Sequence, residues 1–390
     1  MLDYNKILSK NVMSIKPSGI RRFFDLAEEM DGVVSLGLGE PGFVTPDKIR
    51  AAAIASLDEG KTYYSANTGI APLKHEISKY LKRKYNISYE NNEMIVTIGA
   101  SEAIDIAFRA LLEPGDEVLV VEPCFVSYAP TIQLCGAVPV SIVTRAEDAF
   151  RVTPEEIKSK ITPKTKALII SFPSNPTGAI MKREHLEAIA DVLRGTDIIV
   201  ITDEIYAELT YGGNKHVSFA EIDGMRERTI FVSGFSKAFA MTGWRIGYAC
   251  APVPIAKQMM KVHQYAVMCP SSISQYAALE ALKSCDEDSQ KMVAEYDIRR
   301  QYIVGELNRM GLTCFNPEGA FYVFPDIRST GLTSEEFCEK LLMSKKVSVV
   351  PGVAFGECGE GFVRMSYSNK LENIKEAMKR IDEFLHELKA

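Results

Sequence analysis

No apolar run in this chain approaches the roughly 20 residues that cross a bilayer, and the N-terminus, Met1-Leu-Asp-Tyr-Asn-Lys-Ile-Leu-Ser-Lys10, has no apolar signal core. Both absences point to the cytoplasm and away from a membrane. The eight cysteines, Cys124, Cys135, Cys250, Cys269, Cys285, Cys314, Cys338 and Cys358, include no Cys-x-x-Cys pair and no histidine at zinc-site spacing. Reduced thiols and no bound metal are therefore expected. Positive charge is also in short supply: a formal charge of −6 argues against nucleic acid as a partner. No internal repeat or low-complexity linker occurs.

What is present is an ordinary globular composition, 46% hydrophobic and 25% charged. At 390 residues the chain exceeds the roughly 250–300 at which single cores stop growing, so a large and a smaller domain are expected. Short Val- and Ile-rich runs, Met94–Ile98, Glu117–Val121, Ala167–Ser171, Ile198–Thr202 and Thr229–Ser233, read as strands buried on both faces. Amphipathic segments such as Ile104–Leu112 and Glu184–Leu193 lie between some of them. The fold class is therefore α/β, a mainly parallel, doubly wound sheet. After about residue 290 the pattern changes to a long charged helix (Tyr296–Met310), strand candidates at Ala320–Phe324 and Val347–Val350, and a closing amphipathic helix (Leu371–Leu388). This reads as a smaller α+β domain, residues 289–390 completed by 1–46, beside a large domain over 47–288. The N-terminal part adds an amphipathic segment, Ile20–Met30, and a short strand, Val33–Leu36.

Gly37-Leu-Gly-Glu-Pro-Gly42 matches the dinucleotide fingerprint G-x-G-x-x-G and raises a nicotinamide oxidoreductase as one reading. Such a loop must open a helix, yet Pro41 and Phe43-Val-Thr-Pro46 follow, and the helix is expected only after Thr45 as N-cap with Pro46 at its first position.

Ligands of open α/β sheets bind beyond the C-terminal strand ends. Those positions hold Gly99-Ala-Ser-Glu102, Pro123-Cys-Phe125, Pro173-Ser-Asn-Pro-Thr-Gly178, Asp203-Glu-Ile-Tyr206 and Ser233-Gly-Phe-Ser-Lys237. Lys237 stands among small residues with Arg245 eight positions on. A lysine amine becomes a covalent catalyst as a Schiff base, and pyridoxal 5'-phosphate (PLP) is an aldehyde cofactor whose phosphate suits an arginine fork. Most lysines, equally, are solvated loop residues. Gly99, Ala100 and Ser101 open a helix and could hold that phosphate with Ser236 and Arg245, or form a simple N-cap. Phe125 could cover a pyridine face or merely pack. Asp203 ends a buried strand, where a carboxylate needs a positive partner such as a protonated pyridine nitrogen. Tyr206 and Asn175 could bond the ring oxygen, although Asn175 also suits an ordinary turn.

With these residues assembled, the chain resembles the class I/II aminotransferases among the fold-type I PLP enzymes. Gly-Phe-Ser-Lys-x-x-Ala-Met-x-Gly-x-Arg-Ile-Gly over 234–247 carries the resemblance, which spans nearly the whole chain. The sequence is similar to prokaryotic aromatic and aspartate aminotransferases and to N-acetyl-diaminopimelate aminotransferases. The resemblance implies that Lys237 is the Schiff-base lysine, Asp203 the pyridinium partner and Tyr206 and Asn175 ring-oxygen ligands, with Ser101, Ser236 and Arg245 at the phosphate. It implies that Tyr64 reaches the phosphate of a neighbouring subunit in a homodimer with shared sites. Pro351-Gly-Val-Ala-Phe-Gly356 followed by Gly361-Phe-Val-Arg-Met-Ser366 implies that Arg364 clamps the substrate carboxylate, with Gly39 and Asn175 beside it. One departure stands out: Gly42 occupies a position where the family usually has Asp.

The implied reaction is ping-pong transamination of an L-amino acid, aromatic or dicarboxylic, with a 2-oxo acid such as 2-oxoglutarate. A PLP-dependent C–S lyase on the same scaffold and a non-catalytic PLP-binding regulator are the rivals. For the substrate side chain the sequence offers only His263 and Tyr265, which could equally be dimer packing.

Overall fold

The computed structural model describes residues 2–17, 19, 26–28 and 30–389; within the amphipathic segment Ile20–Met30, residues 20–25 and 29 lie outside them. Seven strands form the main sheet: β2 (Met94–Thr97), β3 (Glu117–Glu122), β4 (Val138–Val143), β5 (Thr165–Ser171), β6 (Ile199–Asp203), β7 (Thr229–Gly234) and β8 (Gly247–Cys250). Their order is β2-β8-β7-β6-β5-β3-β4, with only β8 antiparallel to its neighbours. Ala167, Leu168, Ile169 and Ile170 of β5 are all buried, as expected of a strand covered on both faces. The covering helices include α1 (Asp47–Asp58), α2 (Ala71–Tyr85), α3 (Gly99–Leu111), α4 (Tyr128–Leu134), α5 (Pro154–Lys160), α6 (Arg183–Leu193), α7 (Val253–Ala266) and α8 (Ser272–Ser284). In α6 the residues at helical spacing, Leu186, Ile189, Ala190 and Leu193, face the sheet core.

Two sheet strands escape a pattern reading. In β4, Pro139 lacks an N–H to donate, and the strand is tolerated because it lies at the sheet edge. In β8 the residues are Gly, Tyr, Ala and Cys, with no β-branched member. The antiparallel run of β8 has a consequence for function. Because β7 ends and β8 begins at the same sheet edge, the whole 235–246 connection, with Lys237 and Arg245, is held at the edge where the parallel strands terminate.

The remaining chain forms α9 (Asp286–Arg309), β9 (Tyr322–Val323), α10 (Ser334–Lys345), β10 (Val347–Ser348), β11 (Val350–Pro351), β12 (Val363–Ser366) and α11 (Leu371–Glu387). It takes in the N-terminal strand β1 (Val34–Ser35), which pairs in parallel with β10, while β11, β12 and β9 form a three-stranded antiparallel sheet. α9 begins ten residues before the expected Tyr296. The expected helix start near Thr45 is corrected: α1 begins at Asp47 with Pro46 in the N-cap position, and no side chain caps it. The Thr45 hydroxyl donates instead to the Ala240 carbonyl at 2.5 Å and accepts from Trp244 Nε1 at 2.9 Å. Gly37–Gly42 opens no helix, so the dinucleotide fingerprint has no structural counterpart.

Candidate active site

The strand ends converge on one cavity of about 510 Å³. Of the residues expected there, Ala100, Ser101, Phe125, Asn175, Asp203, Tyr206, Ser236, Lys237, Arg245, Gly39 and Arg364 line it. Gly99 lies immediately behind the lining, and Tyr64 stays outside this chain's cavity with its side chain 81% exposed.

Lys237 Nζ donates to the Gly39 carbonyl at 2.6 Å and sits 5.8 Å from the ring centres of Tyr206 and Phe321. Burial, reinforced by the positive charges of Arg364 and Arg245, pulls its amine down to about 8. A larger neutral fraction makes the amine a better nucleophile and base near neutral pH. Asp203 is buried and held by the Tyr128 hydroxyl at 2.7 Å and by the Ile205 amide at 3.2 Å. Both donors are neutral, and burial pushes the carboxyl up to about 6. A cation placed against it would relieve that penalty.

Arg364 is buried in β12. Its Nη1 donates to Asn175 Oδ1 at 2.9 Å and its Nη2 to the Gly37 carbonyl at 2.5 Å, while Nε has no partner. Its guanidinium carbon lies 4.5 Å from the Tyr322 ring centre and 4.8 Å from that of Phe355. Both hydrogen bonds go to neutral oxygens, so among the described residues no carboxylate pairs with this buried positive charge facing the cavity. This is a donor set for an anionic ligand.

At the opposite end the first turn of α3 presents its amides beside Ser101 and Ser236. Gly99 has φ +72°, and a Cβ there would lie 2.9 Å from Arg245 Nη2. A Cβ on Gly247 would lie 2.7 Å from the Gly99 carbonyl carbon and 2.8 Å from the Ala100 nitrogen. The two glycines thus let β8 and Arg245 close against the helix start, forming a cradle suited to a phosphate. Arg245 itself adopts φ +50°, a costly backbone for a non-glycine residue at the edge of the site.

Sequence reasoning missed Tyr128 and Tyr322. Tyr128 lies one helical turn past Phe125, whose ring packs edge-on against it at 5.7 Å. Tyr322 shares a 2.7 Å hydrogen bond with the Tyr206 hydroxyl, yet in Ala320-Phe-Tyr-Val-Phe324 it reads as one more core aromatic. Leu38, Glu40 and Thr242 also line the cavity. His263 and Tyr265, offered for the substrate side chain, do not: His263 is fully buried away from the cavity and Tyr265 is exposed. The departure at Gly42 has a steric reason, because a Cβ there would come within 2.1 Å of the Ser368 carbonyl oxygen.

A family model described as aminotransferase class I and II matches residues 31–381. The chain belongs to that family. Among curated aminotransferases, an aspartate aminotransferase of Pyrococcus abyssi is 48% identical over 98% of this chain and 99% of its own. Aromatic-amino-acid aminotransferase 2 of Thermococcus litoralis is 43% identical over the same shares. The crystal structure of an aromatic aminotransferase from Pyrococcus horikoshii OT3 covers 94% of this chain and 99% of its own at 46% identity, with a TM-score of 0.90. These likenesses favour transamination over the lyase reading. Among the described residues no helix is long and apolar enough to cross a membrane.

Proposed function

We propose that this aminotransferase uses PLP at the cavity between the sheet edge and β12 to move the amino group of an aromatic or dicarboxylic L-amino acid to a 2-oxo acid. The observation that carries the reading is the convergence of a buried lysine, a carboxylate without a cation and an arginine without an anion on one cavity. The donor set fits the cofactor: the α3 amides, Ser101, Ser236 and Arg245 at its phosphate, Asp203 at the ring nitrogen, Phe125 against a ring face and Lys237 at its aldehyde carbon. When bound there, PLP would supply an electron sink for the substrate's α-carbon.

The chain's own residues then divide the work. Arg364, steadied by Asn175 and Gly37, binds the α-carboxylate and so fixes which face of the substrate meets Lys237. The Lys237 amine would take the substrate's α-proton as general base and carry it for return. Tyr206, oriented by Tyr322, and Asn175 would hold the ring oxygen. Asp203, oriented by Tyr128, would favour a protonated ring nitrogen. Leu38, Gly39 and Glu40 line the same cavity. The relatives act on aspartate and on aromatic amino acids according to their names, so both donor classes are carried to this chain, with a 2-oxo acid such as 2-oxoglutarate as the acceptor. The homodimer and Tyr64's contact with the neighbour's phosphate belong to the same reading. In the direct test, Lys237→Ala should lose the cofactor's lysine-linked absorbance band and about a thousandfold or more of its turnover. Retained turnover with aspartate, phenylalanine and tyrosine would remove the assignment.

A further inference from the structure

Tyr63 and Tyr64 project into solvent, 84% and 81% exposed, yet the loop that follows them is tied down at successive residues by buried side chains. Gln275, fully buried, donates from Nε2 to Ser65 Oγ at 2.9 Å and to the Pro270 carbonyl at 3.0 Å, and its Oε1 accepts from the Ile70 amide at 2.8 Å. His263, also fully buried, bridges the Asn67 carbonyl (Nε2, 2.9 Å) and Glu102 Oε1 (Nδ1, 2.7 Å). Lys74 Nζ donates to Thr68 Oγ1 at 2.9 Å, and the Val96 amide donates to the Thr68 carbonyl at 3.1 Å. At Gly69, φ is +97° and a Cβ would lie 2.3 Å from Val96 Cγ2, so the loop lies directly against β2.

Part of this anchoring satisfies the loop's own backbone, since residues 65, 67, 68 and 70 are half-buried and Gly69 is buried, but it also fixes the base of the exposed Tyr63–Tyr64 pair. Immobilising it is useful when a side chain must be presented in a fixed position to something outside the chain, because the ordering cost is then met before binding. The bridge through His263 is demanding. The Asn67 carbonyl only accepts, so Nε2 is the donor of that bond and the ring's orientation is fixed from both sides. The far end of that bridge is the first turn of α3, where Glu102 Oε2 also accepts from the Ile98 amide at 2.5 Å.

We propose that His263 and Gln275 are positioning residues for the neighbouring subunit's active site: they hold the 65–70 loop so that Tyr64 is presented, ready-placed, to a second copy of this chain. The proposal rests on the reading that Tyr64 reaches the neighbour's phosphate. Its particular content is the direction of the effect. The anchors serve the site across the interface, although His263 also touches the helix start of its own chain's site through Glu102.

Mixed dimers separate the two directions, with reversible PLP affinity as the readout at the lysine-linked absorbance band. The His263→Leu homodimer should bind PLP roughly tenfold more weakly. Pairing a His263→Leu chain with a Lys237→Ala chain leaves one lysine-bearing site, in the His263→Leu chain, which receives Tyr64 from a chain with intact anchors. Its affinity should return to that of the unmodified protein. With both substitutions in one chain and a wild-type partner, the lysine-bearing site receives its Tyr64 from the damaged chain, and the tenfold loss should persist. A loss that instead follows the His263→Leu chain's own site, or no loss in the homodimer, overturns the proposal. Gln275→Leu in the same pairings gives an independent reading should His263→Leu fail to fold. Tyr64→Phe separates the underlying premise. If the Tyr64→Phe homodimer binds PLP normally, the assignment of Tyr64 to the phosphate falls; if it is weakened while the anchor variants are not, only the positioning role falls.

Discussion

The sheet edge and the β9–β12 region wall the same cavity but are built by different means. At the sheet edge, strands that run in parallel deliver their following residues to one line, so Ser101, Phe125, Asn175, Asp203 and Lys237 meet because topology leaves them nowhere else to go. On the opposite wall, Arg364 and Tyr322 stand on the paired strands β12 and β9, and Gly39 joins them from the N-terminal stretch; side-chain bonds, the arginine's to Gly37 and Asn175 and the tyrosine's to Tyr206, tie this wall to the rest of the site. In the proposed function the first wall would hold the cofactor, whereas the second would grip the substrate's carboxylate.

This contrast can be broken experimentally at the second wall with the largest effect. Arg364→Ala should raise KM for amino donors about 100-fold, by loss of two charge-assisted bonds, while PLP affinity stays within a few-fold. An unchanged KM across a donor panel would detach Arg364 from the carboxylate. Arg364→Lys should recover only part of the loss, since an ammonium cannot reproduce the fork.

The first wall is sharpened by the pH dependence of stability in cofactor-free protein. Asp203 is raised in the fold from 3.8 to about 6, so the folded state binds the extra proton, and stability should fall as pH rises between those values. Lys237 is lowered from 10.5 to about 8, so the unfolded chain binds the extra proton, and stability should rise with pH between about 8 and 10.5. Each effect is of order 3 kcal/mol. Urea unfolding across both windows should show the first slope vanish in Asp203→Asn and the second in Lys237→Met. Identical curves for the variants would mean that neither group carries the burial penalty.

A smaller effect is expected at the 37–42 segment. Restoring the family's usual residue with Gly42→Asp forces a side chain against the Ser368 carbonyl and should cost about 1–3 kcal/mol. A variant as stable as the parent would mean that the 37–42 segment yields more readily than this packing implies.

The same contrast explains what was legible in the sequence. Runs such as Ala167–Ser171 are continuous and apolar, and the residues after them inherit a known location, so the α/β sheet and its row of polar strand ends follow from the order of the chain. β4 and β8 did not announce themselves, because an edge strand tolerates Pro139 and a glycine-led strand lacks β-branched residues. Tyr128 and Tyr322 act through hydroxyls whose partners lie 75 and 116 positions away, and no local pattern marks such partners. His263 could be singled out but not located, since a buried histidine bonded to Glu102 and Asn67 has the same sequence signature as one facing a ligand.

The central claim is that Lys237, at the meeting of these walls, is the residue that holds the cofactor. Reducing the PLP-loaded protein with borohydride, digesting it and sequencing the pyridoxyl-bearing peptide by mass spectrometry tests this most directly. A single stoichiometric label on Lys237, within the peptide that follows β7, is expected. A label on another lysine, or none, would contradict it.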